Sequence, residues 1–416
     1  MKNDILTNLN EPNPGQLESI YRTNKGKFRQ EFQNLYPQIK GKPLADFWNE
    51  RLNYESGEIS WGTGRELLFV IIASLIAGFI AKIPQLAGID PDYFYPRNIG
   101  FIVFPALTAY FVWKQHVQVK KLIFVIIAFV VSAIYINLLP GNDSSDTFIL
   151  ACIHLPLLLW AGLGYMFLGG EVDDNQKRLD FLRFNGDLIV ITTLILIAGG
   201  LLTGVTLGLF ELIGLKIQEF YFNYIAIWGA AAAPIVGAYL IQTNPQLVNK
   251  VSPVIAKVFT PLVLIMLITY LGAVIYTGKD PYNDREFLLI FNVLLIGVMA
   301  IILFSIAETF KKQSGKIGAL TLLGLSVVTI IVNGIALSAI IFRISEMGIT
   351  PNRLAVFGGN ILILTNLLIV SYHQFWALKD NSKAVMVETS IATFLPVYII
   401  WAFIVTFGFP FIFGFE

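Results

Sequence analysis

The most constraining stretch of this chain is Asn185 to Glu211, NGDLIVITTLILIAGGLLTGVTLGLFE, which carries no charge between Asp187 and Glu211. An uncharged run of about two dozen residues, at a helical rise of about 1.5 Å each, covers roughly 36 Å. That length crosses the hydrocarbon core of a bilayer with some tilt. Inside the run Gly200, Gly204 and Gly208 recur every four residues, with Gly199, Thr203 and Thr206 beside them. The spacing gathers small residues on one face of a helix, so that a second helix can approach backbone to backbone. The stretch is therefore expected to be the packing spine of a multi-span membrane protein.

Composition agrees with that class. Apolar residues make up 56% of the chain and charged residues 14%, with a mean hydropathy of +0.68; soluble domains carry about 25% charged residues. A formal net charge of +1 leaves no basic excess to neutralise phosphates, which argues against nucleic acid as a partner. The single cysteine, Cys152, lies in an apolar run and can form no intrachain disulfide. The first sixty residues show no apolar core followed by a small-residue cleavage site, so a cleaved secretory signal is not expected.

Residues 1–62 differ from all that follow and form the first of two expected domains; residues 63–416 form the second. Three short amphipathic patterns appear in the first. Leu17, Ile20 and Tyr21 share one helical face, Phe28, Phe32 and Leu35 a second, and Leu44, Phe47, Trp48 and Leu52 a third. Breakers separate them at Asn24 and Gly26, then at Pro37, Gly41 and Pro43. The region is either a small helical subdomain under the membrane part or a docking module lying on the lipid surface.

From Trp61 onward apolar runs alternate with short polar connections. Eleven spans are expected, at 66–84, 98–114, 121–139, 147–168, 187–211, 220–241, 252–276, 286–308, 316–342, 354–377 and 389–410. The fold class is an all-α polytopic transmembrane bundle of about eleven spans, with a small cytoplasmic helical region at its N-terminus. Lys and Arg divide unevenly between the two sets of connections. Thirteen, including Lys120, Lys177, Arg183 and Lys383, fall on the N-terminal side, and seven, including Lys82, Arg97, Arg343 and Arg353, on the other. The imbalance places the N-terminus in the cytoplasm and the C-terminus outside.

Two spans carry internal irregularity. In IAIWGAAAAPIVGAYL, Pro234 removes a backbone hydrogen bond while Gly229, the four alanines and Gly237 invite close packing; the next span holds Pro253 and Pro261. Such breaks serve either a transport site or plain kinks.

Motifs for chemistry are absent. His116, His154 and His373 are far apart, and no HExxH, paired-cysteine, phosphate-loop or GxSxG pattern occurs. No catalytic set, metal or cofactor is expected, and the chain is not read as an enzyme. His154, beside Pro156, is expected to be a hydrogen-bonded structural residue.

Polar residues inside the spans are sparse. Asp187 and Glu211 bracket the glycine-rich run, and Asn292, Asn333, Asn360 and Asn366 lie deeper. The asparagines either glue helices together or line a polar path.

A charged cluster falls on the expected outer face. GKDPYNDREF contributes Asp284, Arg285 and Glu286, with Asn283 and Glu286 spaced as a capping box. FRISEMGITPNR contributes Arg343, Glu346 and Arg353, with Gly348 as a helix end, Thr350 as an N-cap and Pro351 at the first helical position. Arg343 and Glu346, three apart, are spaced to pair. Arg353 sits in a first turn, where the helix dipole disfavours a cation, so its expected partner is a carboxylate of the other loop, or an anionic ligand or lipid head group.

With GITPNR, GKDPYNDREF and the N-terminal LADFWNERLNYE, the sequence resembles bacterial membrane proteins of domain-of-unknown-function family 4153, over most of its length. Met347 stands where that family more often has a tyrosine. The resemblance implies a polytopic protein of a bacterial cytoplasmic (inner) membrane and brings no substrate or catalytic residues. Two functional classes remain: a transporter or permease-like protein for a small solute, or a non-transporting scaffold or sensor that docks a protein partner through its N-terminal region. Lipid is the expected surrounding in both, and the sequence sets no oligomeric state. A polar mid-membrane cavity lined by the asparagines marks the first class; asparagines paired helix to helix mark the second.

Overall fold

The structure is a computed structural model. It describes residues 2–10, 14–23, 25–53, 61–115, 117–140, 145–212, 216–245, 316–380 and 383–415, with scattered residues between 260 and 306. Among the described residues there are helices and no strand. The chain divides into two compact units, Met1–Leu68 with Gln242–Gln246, and Phe69–Ile241 with Leu247–Glu416.

The first unit contains four short helices, α1 (Lys2–Asn10), α2 (Pro14–Thr23), α3 (Lys25–Ile39) and α4 (Pro43–Asn53). Its core follows helical periodicity. Phe28, Phe32, Leu35 and Ile39 make the stripe of α3, Ala45, Trp48 and Leu52 that of α4, and Leu17 enters from α2. Tyr21, Phe28 and Trp48 meet at ring separations of 5.1–5.6 Å. Three details depart from the sequence reading. The polar start folds as α1 and buries Ile5 and Leu9. Gly26 and Pro37 lie within α3 instead of ending it. Phe47 is 59% exposed, and Ala45 takes its place on the buried face.

One ion network ties α2 to α4. Glu18 accepts from Arg22 at 2.8 Å and pairs with Arg51, also at 2.8 Å, while the Arg51 guanidinium lies 4.8 Å above the Trp48 ring. The hydrogen bond from Arg22, against some desolvation and with the charge of Arg51 adding to it, holds the Glu18 carboxyl below the usual carboxylate range. A depressed folded-state value means that this stabilisation is complete above about pH 4.5 and fades as the pH falls through the folded value. Glu18→Gln is expected to lower the unfolding midpoint slightly at pH 7, by less than about 1 kcal/mol, and to leave it unchanged at the acid end. Thermal scans at the two pH values check this.

In the second unit the long helices are α5 (Gly64–Ala87, beginning in the first unit), α6 (Pro91–Gln115), α7 (Val119–Leu138), α8 (Asp146–Phe167) and α9 (Asn175–Leu212). They continue with α10 (Gln218–Tyr221), joined through a π-helical turn at Phe222–Ala226 to α11 (Ile227–Thr243). Beyond the sparsely described stretch come α12 (Lys316–Met347), α13 (Pro351–Lys379) and α14 (Ala384–Phe403), then a second π-helical turn at Ile404–Gly408 and the short α15 (Phe409–Ile412). Eight of the described helical segments are long and apolar enough to cross a membrane: α5, α7, α8, Asn175–Gly204 of α9, Gln218–Thr243, Gly318–Met347 of α12, α13 and Val385–Ile412.

The sequence reading of eleven spans meets this count as follows. The second, 98–114, is helical within α6, but α6 is not among the eight. The seventh and eighth, 252–276 and 286–308, fall mostly outside the described residues. Exposed apolar side chains are abundant on the eight, including Ile72, Ile76, Ile127, Leu196 and Leu202, a surface suited to lipid as solvent.

Two apolar clusters organise the unit. Ala73, Ala77, Leu107, Phe111, Leu163, Phe181, Ile235 and Ala238 join α5, α6, α8, α9 and α11. Leu322, Leu325, Val332, Leu367, Val370, Val387 and Ile391 join α12, α13 and α14. Pro234 sits inside α11, whose Gly237 lies against Thr192 and Leu188 of α9.

The expected spine is not seen to pack among the described residues: Gly199, Gly200 and Gly204 are exposed, and nothing described lies within 4 Å of a Cβ placed on any of them. Gly208 continues the same helix. Close packing falls on other glycines: Gly78 against Trp228, Gly100 against Leu159, Gly162 against Phe129, Gly164 against Phe181 and Gly358 against Trp401. In each case the counterpart is a large side chain, so these are knobs seated on a bare backbone. The four-residue small motif of helix dimers is a different geometry.

Candidate functional site

The α12–α13 hairpin turns on Gly348–Thr350. Gly348 adopts φ +79° and donates to the Ile344 carbonyl at 3.0 Å. Thr350 caps α13 by accepting from the Arg353 N–H at 3.3 Å, and Pro351 opens the helix. The cap, first proline and terminal glycine all fall where the sequence placed them.

The arginines of this turn find partners that the sequence did not suggest. Arg353 donates to the carbonyls of Met347 and Gly348 at 2.9 and 2.8 Å. Those carbonyls belong to the C-terminal end of α12, where unsatisfied acceptors and the negative end of the dipole attract a cation. A residue disfavoured by its own helix is thus held by the preceding one; the carboxylates of the other loop lie outside the described residues. Arg343 Nε donates to the Tyr282 carbonyl at 3.0 Å, and the Tyr282 hydroxyl lies 3.2 Å from Ser338. The expected i,i+3 pairing with exposed Glu346 does not form. Asp284, Arg285 and Glu286 lie outside the described residues.

The intramembrane asparagines separate into two kinds. Asn360 donates to Asn292 at 2.8 Å, and Asn366 donates to the Tyr398 hydroxyl of α14 at 3.0 Å. These are helix-to-helix pairs. Asn333 is fully buried, and among the described residues neither its amide nitrogen nor its oxygen has a hydrogen-bond partner. Asn333 lies fourteen residues before the end of α12 and Asn366 fifteen after the start of α13, so the two share one depth, about 21 Å from the hairpin turn. Both sit near the middle of their helices. Among the described residues the Asn366 oxygen is also without a partner, and two helical turns further on so are both amide atoms of buried Gln374.

Ser326 and Thr329, buried on α12, bond to their own helix at Leu322 and Leu325. Buried neutral polar groups thus lie along both α12 and α13, several of them with no hydrogen-bond partner among the described residues. Unpaired polar atoms in an apolar interior cost about 1–3 kcal/mol each.

Asp187 lies half-buried on α9, two residues from Asn185, whose oxygen accepts from the Trp160 indole at 2.8 Å. His154 bonds the Leu150 carbonyl at 2.9 Å, the structural role expected of it. Among the described residues no group of His, Cys, Asp and Glu is arranged to hold a metal.

Several polar residues that the sequence reading passed over form the firmest cross-helix ties. Arg183 of α9 pairs with Glu388 of α14 at 3.1 Å and with Asp180 at 2.9 Å, and Arg178 donates to the Ala392 carbonyl at 3.1 Å. Asn98 and Asn137 exchange two hydrogen bonds, 3.0 and 2.9 Å, between α6 and α7. Arg97 is buried between the rings of Tyr93 and Phe148, 3.9 and 4.1 Å from their centroids. Lys82 donates to Gln85 and, at 2.5 Å, to the Asn223 carbonyl in the π-helical turn. One signal was available: Glu388 is a carboxylate near the start of an apolar run, which demands a cation on a neighbouring helix.

The chain matches no protein-family model, no characterised protein sequence and no solved structure.

Proposed function

We propose that this chain is a transporter or permease-like protein whose solute passes the buried amide column of α12 and α13. The carrying observation is Asn333: it is fully buried in mid-helix, and neither its donor nor its acceptor has a partner among the described residues. With the Asn366 oxygen and Gln374 it offers hydrogen bonds of both polarities and no charge. Such a lining suits a small neutral hydrogen-bonding solute better than an ion, because a carboxylate or ammonium would meet no counter-charge there. In this reading the chain sits in a bacterial cytoplasmic membrane with its N-terminus inside and its C-terminus outside, as the Lys and Arg imbalance argues. The motif GITPNR supports kinship with domain-of-unknown-function family 4153. No catalytic role is assigned to any residue.

The second reading, a non-transporting scaffold or sensor, draws on the Asn292–Asn360 and Asn366–Tyr398 pairs, which tie helices as a solid bundle would. The two readings diverge at one substitution. Replacing Asn333 with Leu removes two unsatisfied buried groups, so the unfolding midpoint should hold or rise. If the column carries solute, flux of small polyols and amides into proteoliposomes, followed by stopped-flow light scattering, should fall at least about tenfold. Wild-type vesicles no more permeable than empty ones, or unchanged flux in a stable Asn333→Leu protein, would favour the scaffold.

A further inference from the structure

An open groove of about 700 Å³ runs between α6 and α7. Its walls are apolar: Phe101, Pro105, Val112 and Trp113 on α6 face Leu122 and Phe129 on α7. The two ends differ. Beyond Phe101 the helices are bridged by the reciprocal Asn98–Asn137 amide pair. Beyond Trp113 and Leu122 stand Lys114, Lys120 and Lys121. The groove is thus closed at one end by neutral hydrogen bonds and flanked at the other by cations.

Its length also restricts the occupant. Phe101 to Trp113 spans about 18 Å along the helix, close to the depth of one leaflet in a hydrocarbon core of about 30 Å. Within the groove one polar side chain is out of place. Thr108 is 95% buried, and its hydroxyl has no hydrogen-bond partner among the described residues. One turn away, Pro105 supplies no N–H to the Phe101 carbonyl. Thr108 lies about 9 Å from Lys114 along the axis, on the side of the lysines toward the hydrocarbon, where the ester groups of a phospholipid follow its phosphate.

We infer that this groove is a binding site for one anionic phospholipid, with an acyl chain between α6 and α7 and the phosphate at Lys114, Lys120 and Lys121. The lysines retain local contacts of their own: Lys114 lies 3.5 Å from the Tyr110 hydroxyl, and Lys121 3.4 Å from the Gly169 carbonyl. Both are long, mobile chains that can add a phosphate to those contacts. Phosphate attraction sets the preference among lipids, and the groove's shape fixes the position of the chain.

The test uses full-length protein in phosphatidylcholine nanodiscs doped with phosphatidylglycerol that carries dibrominated acyl chains. Bromine in the groove quenches Trp113, and Trp113→Phe isolates that component from the other six tryptophans. The expected result is saturable quenching at low mole fraction, with phosphatidylglycerol favoured over brominated phosphatidylcholine on the order of tenfold. Lys114→Gln, Lys120→Gln and Lys121→Gln together should erase the preference. Ala109→Phe, which fills the groove, should abolish the saturable component while far-ultraviolet circular dichroism and elution volume stay unchanged. Quenching that rises linearly with mole fraction, is equal for the two lipids, or survives Ala109→Phe would reduce the groove to ordinary annular contact and overturn the assignment.

Discussion

Replacing Arg183 with alanine is expected to destabilise the protein by about 3–5 kcal/mol, read as a lowered unfolding midpoint in detergent micelles. The Arg183 side chain is 9% exposed and that of Glu388 12%, and the two join α9 to α14 across 205 positions of sequence. Removing the guanidinium leaves the Glu388 carboxylate in a poorly solvated setting with no opposite charge. That uncompensated charge, more than the lost contact, sets the size of the effect. Three companion variants fix the interpretation. Arg183→Met combined with Glu388→Leu should recover most of the loss, because an apolar pair of similar volume avoids the desolvation cost. Asp180→Asn should cost less than about 1 kcal/mol, since Asp180 is 52% exposed and its share of the pairing is solvent-screened. A double-mutant cycle between positions 183 and 388 should return a coupling well above that of surface pairs. Additive single effects would show that the pair contributes little and that the helices are held by packing alone.

The same pair shows where the sequence was readable and where it was not. Apolar run length and helical periodicity depend on neighbours within a few residues, so the long helices and the stripes of α3 and α4 were open to reading. Local end signals were equally plain: Gly348, Thr350 and Pro351 mark one turn by chemistry confined to three residues. Partners distant in sequence were not. Arg353 looked unsatisfied because its own helix dipole disfavours it, but the α12 carbonyls that hold it became neighbours only once the hairpin formed. From the sequence Arg183 contributes only to the side-to-side charge balance, and no local pattern pairs it with Glu388. Asn333, Asn360 and Asn366 were recognised as intramembrane polar groups, yet nothing in their local sequence distinguishes the unpaired one from the two that bond across helices. The groove between α6 and α7 had no sequence signature, since its walls are ordinary apolar residues. Small-residue spacing is incomplete for a related reason. A row of glycines specifies a face that can be approached closely, but not whether another helix of the chain approaches it.

That last point yields the second large expected effect, at Gly358. A Cβ placed there would lie 2.1 and 2.2 Å from Cζ2 and Cη2 of Trp401. The indole has little room to withdraw, because it meets Phe409 edge-on at 6.0 Å and packs in the cluster of Leu150, Ala355 and Val405. Overpacking of this kind costs about 1–3 kcal/mol even where neighbours can adjust. Gly358→Ala is therefore expected at the upper end of that range and Gly358→Leu beyond it, as a drop in the unfolding midpoint. Its neighbour supplies the control. Among the described residues nothing lies within 4 Å of a Cβ at Gly359, so Gly359→Ala gains the helix propensity of alanine, about 1 kcal/mol, with no collision. Opposite signs at adjacent positions cannot come from propensity, which is the same at both; they require the ring of Trp401. Gly204→Leu extends the comparison to α9, where the row of glycines is open, and should leave the midpoint within about 0.5 kcal/mol of wild type. A large loss at Gly204 with none at Gly358 would reverse the assignment of close packing and return it to the glycine run of α9.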